Sequence, residues 1–527
     1  MTAPVGDLTG SIARVRDWAG GDVETTTLRG PVASPPEGMP RRRGVELFAC
    51  LIAAVVGVGG YFAVAEQRLG HLPDGWQVVV PVWVVLCVGV HIVVRLRAPY
   101  ADPVILPCVL LLNGVGLDMI YRLDQYLAAD NARTQFTWTI VALVAFGVVL
   151  VWLRDYRVLQ RYPYILFLIG LGLLLLPLIP HLGVQINGSR IWIHLGSYSF
   201  QPAEVAKIVL ALAFASYLSD RREMLRHAGR TVGRLTLPRL RDLAPIGLMF
   251  VASIVVLVFQ NDLGTSLLFF GLFVMMLYLA TGQGGWVVLG LVAFVAACWV
   301  VYTYAGHVQT RVEAWLHPFA HASRDAQIIE AQYGMAWGGL LGRGWGNGAP
   351  GRIPLANSDF IAAALGEELG IVGLMAIVVI YGILVARGLR IGLAARDGFG
   401  KLLASGLAFI IALQVFAIIG GVTRLLPLTG LTTPFMSQGG SSLLANWIIV
   451  AVMLRISDQA RRPVVEVTPA PIVELEGEAT QLVAGPPAAE MGQSASQILG
   501  DDAPTQDLSA LAPRLSQNRT SGGGEAA

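Results

Sequence analysis

The chain has 527 residues, of which 55% are hydrophobic and only 14% are charged, and its formal net charge is +2. A composition this apolar excludes an ordinary soluble enzyme and indicates a polytopic membrane protein. The sequence contains no Walker motif, Rossmann fingerprint, Gly-x-Ser-x-Gly elbow or metal-binding Cys/His set, so ATP-driven and hydrolase functions have no support. We therefore expect an all-α membrane fold whose function depends on the few polar residues inside it.

Both ends of the chain lack the composition of a membrane span. Residues 1–44 are polar and contain proline, and residues 461–527 are rich in Pro, Ala, Ser, Gln and Gly, so we expect two flexible cytoplasmic tails. Between them, apolar stretches predict about twelve transmembrane helices, with ten as the lower count. These stretches lie near 47–65, 77–94, 104–120, 136–153, 163–180, 202–218, 244–260, 263–281, 285–304, 360–386, 401–423 and 441–455.

Arginine clusters alternate between the loops. They precede the first span and follow the second, fourth, sixth, tenth and twelfth spans, as at Arg95 and Arg97 or at Arg154 and Arg157. Short loops rich in Lys and Arg stay in the cytoplasm. The pattern predicts that both termini are cytoplasmic and that the remaining loops lie outside.

The first polar cluster surrounds the start of the sixth span. Pro202 suits a first helical turn, and Gln201 precedes it. Glu204 and Lys207 are three residues apart, so they share a helical face and can form an ion pair, which is also their structural alternative. Arg190 lies upstream on the predicted outer side, where it could bind a phosphate or neighbour lipid headgroups.

Asp262 stands between the seventh and eighth spans, with Gln260 before it and Thr265 after it. A carboxylate at bilayer depth costs roughly 2.5–3.5 kcal/mol on insertion scales, so such a residue usually faces a cavity and carries function. The alternative is an N-cap of the eighth span, since aspartate side chains accept hydrogen bonds from first-turn N–H groups. The predicted topology puts Asp262 at the outer face.

The longest segment between spans comprises residues 305–359 and is predicted to be extracytoplasmic. It carries a glycine-rich run, Gly338–Gly346, which contains Arg343 and suits either a substrate-gating loop or a plain flexible loop. Glu367 and Glu368 follow it, one to two turns inside the tenth span. Buried carboxylates at that depth are costly unless they line a cavity.

The last polar cluster occupies residues 424–442. It contains Pro427 and Pro434 and ends in a Gly-Gly-Ser-Ser run with Ser441 and Ser442. Such a pattern at a span boundary suggests a broken or re-entrant segment buried in protein, and small-residue helix packing is the alternative.

These clusters resemble, in order, the motifs of the SEDS family (shape, elongation, division and sporulation), the bacterial peptidoglycan glycosyltransferases that include RodA and FtsW. The resemblance covers roughly residues 100–460, and its motifs are Gly188–Trp192, Gln201–Lys207, Gln260–Thr265, Asp359–Gly370 and Leu426–Gly430 with Gly439–Ser442. It implies a SEDS core at 101–460, preceded by additional transmembrane helices at 45–100, as in actinobacterial elongation-type members. Asn261 replaces the usual proline, which leaves the geometry of the turn at Asp262 open, and Gln438 replaces the usual tyrosine.

The resemblance implies that the protein polymerises lipid II into β-1,4 glycan strands on the outer face of the cytoplasmic membrane, for cell elongation and shape. Asp262 would be the catalytic base or, alternatively, a ligand of Mg²⁺ or Mn²⁺; no other cofactor is implied. A class B penicillin-binding transpeptidase would be the partner. The implied pyrophosphate-binding residues are Arg190, Lys207 and Arg343, and the implied supporting residues are Gln201, Glu204, Gln260, Thr265, Glu368, Ser441 and Ser442.

Three other functions remain open from the sequence. One is a division-type role in the same family, the second is a flippase or transporter of a lipid-linked precursor, and the third is a scaffold that only recruits the transpeptidase, for which Asp262 would be dispensable. A transporter needs access from both faces, with charges spread along its spans. Here the charges within the spans lie mostly near the predicted outer ends, which favours the enzyme.

Overall fold

A computed structural model describes residues 43–186, 189–196, 198–223, 229–232, 235–238 and 240–463. The predicted tails, 1–44 and 461–527, lie almost entirely outside the described residues, so their predicted flexibility stays a prediction.

The described residues form α-helices joined by short strands and irregular loops. The first half contains α1 (Arg43–Leu69), α2 (Trp76–Arg97), α3 (Ile105–Leu127), α4 (Asn131–Trp152), α5 (Pro163–Leu175) and α6 (Pro202–Asp220). The second half contains α7 (Leu240–Phe259), α8 (Leu263–Thr281), α9 (Gly285–Tyr304), α10 (Gly306–Leu316), α11 (Ala326–Gly338), α12 (Ile361–Ala394), α13 (Gly398–Val422) and α14 (Gly440–Arg461).

Each of the twelve predicted spans coincides with a helix. Among the described residues, ten helices are long and apolar enough to cross a membrane. The other two predicted spans correspond to shorter apolar helical stretches, Pro163–Leu178 and Gly247–Val256. The prediction of an all-α polytopic membrane protein with ten to twelve spans is therefore confirmed.

Short strands decorate the helical bundle, and the sequence analysis did not predict them. An antiparallel three-stranded sheet consists of β1 (Gly183–Ile186), β2 (Ser189–Leu195) and β3 (Tyr198–Phe200), in that order. A two-stranded hairpin pairs β4 (Gly229–Val232) with β5 (Leu235–Pro238).

The core of the bundle lies around α6 and α14. In each of these helices 83% of the spanning window is buried by protein, against 11% in α9. Small side chains make this close packing feasible, because alanine, glycine and serine let helix backbones approach in the absence of a strong hydrophobic drive between helices. Helix α9 instead presents its apolar side chains outward, as a helix in contact with lipid does.

One end of the bundle is strongly basic and is tied together by ion pairs. Arg461 lies 2.6 Å from Asp102, Arg157 lies 3.2 Å from Asp397, and the Arg43 guanidinium donates to the Ala98 carbonyl oxygen at 2.6 Å. The long loop between α9 and α12 packs at the other end.

Helix α12 is kinked at Gly370, which has a φ of +71°. The glycine-rich run enters this kink, because the Ile371 N–H donates to the Gly339 carbonyl and the Gly344 N–H donates to the Glu368 carbonyl. A Cβ on Gly370 would collide with Gly342. The glycines of this run therefore satisfy the backbone of a broken helix.

Candidate active site

Asp262 is the N-cap residue of α8, and its two carboxylate oxygens have different surroundings. Oδ1 accepts a hydrogen bond from the Thr265 backbone N–H at 2.9 Å. Oδ2 is buried and has no hydrogen-bond partner among the described residues. The capping interpretation and the functional interpretation therefore use different oxygens, and one side chain satisfies both.

The turn before Asp262 has a left-handed residue. Asn261 adopts a φ of +58°, a conformation that asparagine tolerates better than most other non-glycine residues. Its N–H donates to the Val258 carbonyl oxygen at 3.0 Å. Proline fixes φ near −65° and has no N–H. The turn in this chain is therefore one that a proline at this position could not adopt.

Strand β2 docks on this turn and carries Arg190 to it. The Arg190 N–H donates to the Gln260 carbonyl oxygen at 3.3 Å, and the Ser189 hydroxyl donates to the Asn261 carbonyl oxygen at 3.3 Å. The Gln260 side-chain amide donates to the Leu174 carbonyl oxygen. Arg190 is exposed beside the turn, where its guanidinium is free to meet a ligand.

A second cationic group lies near Asp262 and was not predicted. The Arg311 guanidinium on α10 donates to the Leu428 and Thr429 carbonyl oxygens at 3.2 and 3.3 Å. Arg311 and the Asp359 carboxylate both lie beside Gly430, and the three residues line a cavity of about 180 Å³. The cavity wall includes Leu428 and Gly430, and the start of α8 packs on Thr429 between them.

The electrostatics of this region favour a basic carboxylate. Burial raises the pKa of Asp262, and the negative charge of Glu204 adds to this, whereas the hydrogen bonds from Thr265 and the charge of Arg311 lower the pKa. Burial also raises the pKa of Asp359 to about 6, with Arg311 acting against it. A carboxylate whose pKa is raised toward neutrality is a better proton acceptor while it remains ionised.

A hydrogen-bonded chain crosses the bundle beside Asp262. Lys207 forms the predicted ion pair with Glu204 at 2.5 Å and donates to the Gln414 side-chain oxygen at 3.3 Å. Gln414 donates to the Thr432 carbonyl oxygen at 2.7 Å, and the Thr432 hydroxyl donates to the Ser442 hydroxyl at 3.0 Å. The Lys207 ammonium uses two of its three N–H donors in this chain, which connects it to the segment that follows α13.

Residues 423–439 form that segment, which is irregular, as predicted. Its second part is buried at 433–437, whereas Thr423, Leu425 and Gly430 are exposed, so the predicted burial holds only for part of it. A Cβ on Gly264 would lie 2.6 Å from the Thr429 carbonyl oxygen, so the start of α8 packs directly on this segment. Gln201 and Ser441 are buried at the N-terminal ends of α6 and α14. The start of α8 and the Lys207 chain therefore contact the same segment.

Two predicted site residues lie in a different cluster. Arg122 Nε lies 2.7 Å from Glu368 Oε1, and the Gly346 N–H donates to Glu368 Oε2 at 3.0 Å. The Arg343 guanidinium stacks 4.1 Å above the Trp337 ring and is exposed. Glu368 therefore supports the kink of α12, and no hydrogen bond of the described residues joins it or Arg343 to Asp262.

Some residues of this region were not among the predicted site residues, and they differ in whether the sequence could have revealed them. Gln414 is a lone amide inside an apolar span, which is a signal that could have revealed it. Arg311 lies in a long polar loop, where nothing in the sequence separates it from its neighbours. Asp359 begins the motif Asp359–Gly370 but was not predicted to be a site residue.

Few side chains of the described residues could bind the predicted divalent cation. No group of three His, Cys, Asp or Glu side chains in the described part of the chain is arranged to hold a metal ion. Asp262 Oδ2 is one free carboxylate oxygen. Mg²⁺ commonly binds through one or two carboxylates together with substrate phosphates, so the donor set fits an ion that arrives with a phosphorylated substrate.

Fold and site together define a polytopic membrane protein with a buried carboxylate beside cationic groups at one end of its helical bundle. The family model of the cell cycle proteins FtsW, RodA and SpoVE matches residues 103–462. The chain belongs to this family.

Individual relatives agree with this assignment. The chain is 46% identical to the peptidoglycan glycosyltransferase RodA of Mycobacterium bovis over 450 residues. The alignment covers 83% of this chain and 95% of the relative. It is similar to a solved chain of a peptidoglycan synthase complex that coordinates polymerization and crosslinking, with 27% identity, a TM-score of 0.56 and coverage of 69% and 99%. It also resembles a mutant of the Rod shape determining protein RodA of Thermus thermophilus, with 25% identity, a TM-score of 0.51 and coverage of 69% and 99%.

Proposed function

We propose that this protein is a peptidoglycan glycosyltransferase that polymerises lipid II into β-1,4 glycan strands, in the elongation role that its mycobacterial relative's name indicates. The observation that carries the proposal is the free, buried Oδ2 of Asp262, with the exposed Arg190 on the strand that docks on its turn. Arg311 contacts Thr429, the residue on which the start of α8 packs. This arrangement pairs a proton acceptor with groups that attract a departing pyrophosphate.

The reaction proceeds by inversion at the donor sugar. The 4-hydroxyl of the acceptor attacks the anomeric carbon of the donor, Asp262 Oδ2 takes the hydroxyl proton, and undecaprenyl pyrophosphate leaves with the bonding electrons. Arg190 and Arg311 stabilise the negative charge of the leaving group. Lys207 acts on the leaving group indirectly. It binds Gln414, and Gln414 in turn positions the segment that contacts Arg311. A bound divalent cation would add charge stabilisation at the pyrophosphate.

The site faces the outside in this proposal. The arginine-rich loops gather at the opposite end of the bundle, and the positive-inside rule assigns that end to the cytoplasm. Both termini are then cytoplasmic. The outer end carries the site, where a transpeptidase of the class B penicillin-binding type would crosslink the product strands. The description of the solved complex as one of polymerization and crosslinking supports such a partner.

The test is polymerisation of purified lipid II by the purified full-length protein, with and without the transpeptidase. The wild type should give glycan strands, and Asp262→Asn should lose activity by about 10²–10⁴-fold, the usual contribution of a general base. Asp397→Asn is a matched control, because Asp397 also caps a helix, α13, by accepting from the Gly400 N–H at 2.8 Å, and it lies at the basic end of the bundle, away from Asp262. Wild-type strands from Asp262→Asn would refute the role of this carboxylate.

A further inference from the structure

A second cavity lies between the two N-terminal helices and the rest of the bundle. It has a volume of about 520 Å³, and its walls come from α1, α2, α3 and α4. Cavities of this size are typical of small-molecule sites. Helices α1 and α2 precede residue 103, where the family model begins, so two of the four walls lie outside the matched range, whereas Asp118 and the walls from α3 and α4 lie inside it.

Asp118 on α3 lines this cavity and has no compensating partner. The residue is 4% exposed, and it forms no ion pair or hydrogen bond with any of the described residues. Its Oδ2 lies against Gly60 of α1, where a Cβ would collide with it. An ionisable side chain within a span is costly, and in proteins it normally meets a partner or marks a functional site.

The rest of the cavity is aromatic and carries an excess of negative charge. Tyr61 and Tyr121 form one wall with ring centroids 4.7 Å apart, and Trp83 forms another. Aromatic faces next to a carboxylate are the usual surroundings of a bound ammonium group.

The charged groups at the mouth do not neutralise Asp118. Among the described residues, Arg133 is the one basic side chain that lines the cavity, and it is exposed and lies 3.9 Å from Asp130. Asp124 accepts hydrogen bonds from the first turn of α4, one from the Asn131 side-chain amide and one from the Ala132 N–H. Asp74 is exposed at the entrance. The cavity therefore attracts a cation and leaves its deepest carboxylate available to it.

We propose that this cavity binds an amphipathic primary amine, with its ammonium group paired to Asp118 and its apolar chain held between the aromatic walls. The ligand carries a single positive charge, because Asp118 is a single buried carboxylate that needs one compensating charge. It is amphipathic because valine, glycine and aromatic residues form most of the wall above Asp118.

The test uses a twelve-carbon primary amine that carries a photoreactive diazirine, added to the purified full-length protein in phosphatidylcholine nanodiscs at pH 7. Irradiation should label peptides of α2 and α3 saturably, and unlabelled dodecylamine should compete while dodecanol should not. Asp118→Asn should lower this labelling about tenfold or more, because it removes a charge-assisted hydrogen bond. Asp74→Asn should lower it less than about twofold, since that carboxylate is exposed.

A pair of glycine variants provides the second arm. Gly60→Ala should displace Asp118 and lower the saturable labelling, whereas Gly59→Ala should leave it unchanged, because nothing lies within 4 Å of a Cβ at Gly59. The thermal unfolding midpoint of Asp118→Asn should be at or above that of the wild type, because an unpaired buried charge is removed. Unchanged labelling of Asp118→Asn, or equal competition by dodecanol, would overturn the proposal.

Discussion

Two buried acidic groups near the loop end of the bundle differ in how completely their oxygens are satisfied. Both oxygens of Glu368 have partners, one in the Arg122 guanidinium and one in the Gly346 N–H. Asp262 uses one oxygen to cap α8 and keeps the other buried and free. A satisfied buried acid holds structure, whereas a buried acid with a free oxygen retains capacity for chemistry.

The largest expected effect concerns stability. Glu368→Gln should lower the free energy of unfolding by about 3–5 kcal/mol, because it leaves the buried Arg122 charge uncompensated. Asp262→Asn should change it by less than about 1 kcal/mol, since asparagine is an equally good N-cap. Denaturant unfolding in detergent micelles measures both, with the exposed Glu66→Gln as control. Equal losses for the two variants would break the comparison.

The next effect separates the two outer arginines. Arg311→Ala should lower the lipid II polymerisation rate about ten- to a hundredfold, the contribution of a hydrogen bond to a charged group, whereas Arg343→Ala should change it less than about twofold. Rates are measured on protein whose unfolding midpoint matches the wild type. A large loss in Arg343→Ala would mean that bound substrate bridges the two clusters.

A smaller effect is expected at the turn before Asp262. Asn261→Pro should cost about 1–3 kcal/mol, because proline cannot adopt a φ of +58° and removes the N–H that donates to Val258. Asn261→Gly should be nearly neutral, since glycine populates positive φ freely. Unfolding and polymerisation assays report on the two variants. Full tolerance of proline would show that the turn can rearrange.

The smallest effect is on pH dependence. Because the pKa of Asp359 is raised to about 6, its carboxylate is ionised above that pH and becomes protonated as the pH falls through it. If the ionised form keeps Arg311 in place, polymerisation should fall to about half near pH 6. Asp359→Asn should remove this inflection. The remaining loss of activity at low pH would then come from protonation of Asp262. An inflection that persists in this variant would assign it to another group.

The sequence predicted most residues of the candidate site, but it assigned to one site residues that the structure places in two separate clusters. Asp262, Glu204, Lys207 and Ser442 were recognisable because each is a polar residue in or beside an apolar span, and membrane insertion makes such residues costly. Glu368 carried the same signal, and its separation from Asp262 required knowledge of the kink in α12. Arg311 carried no signal, since a polar residue in an aqueous loop costs nothing, and Asp359 was marked only as the first residue of the motif Asp359–Gly370.

The sequence by itself determined the membrane fold, the approximate span count and the family motifs, because hydrophobic length and motif order are properties of the chain alone. It also predicted the Glu204–Lys207 ion pair, which depends only on helical spacing. Only the tertiary structure decided which acids are neutralised, that Asn261 adopts a left-handed turn, and that α1 and α2 enclose a cavity around Asp118. Those outcomes depend on contacts between residues far apart in the chain, and no local pattern of residues encodes them.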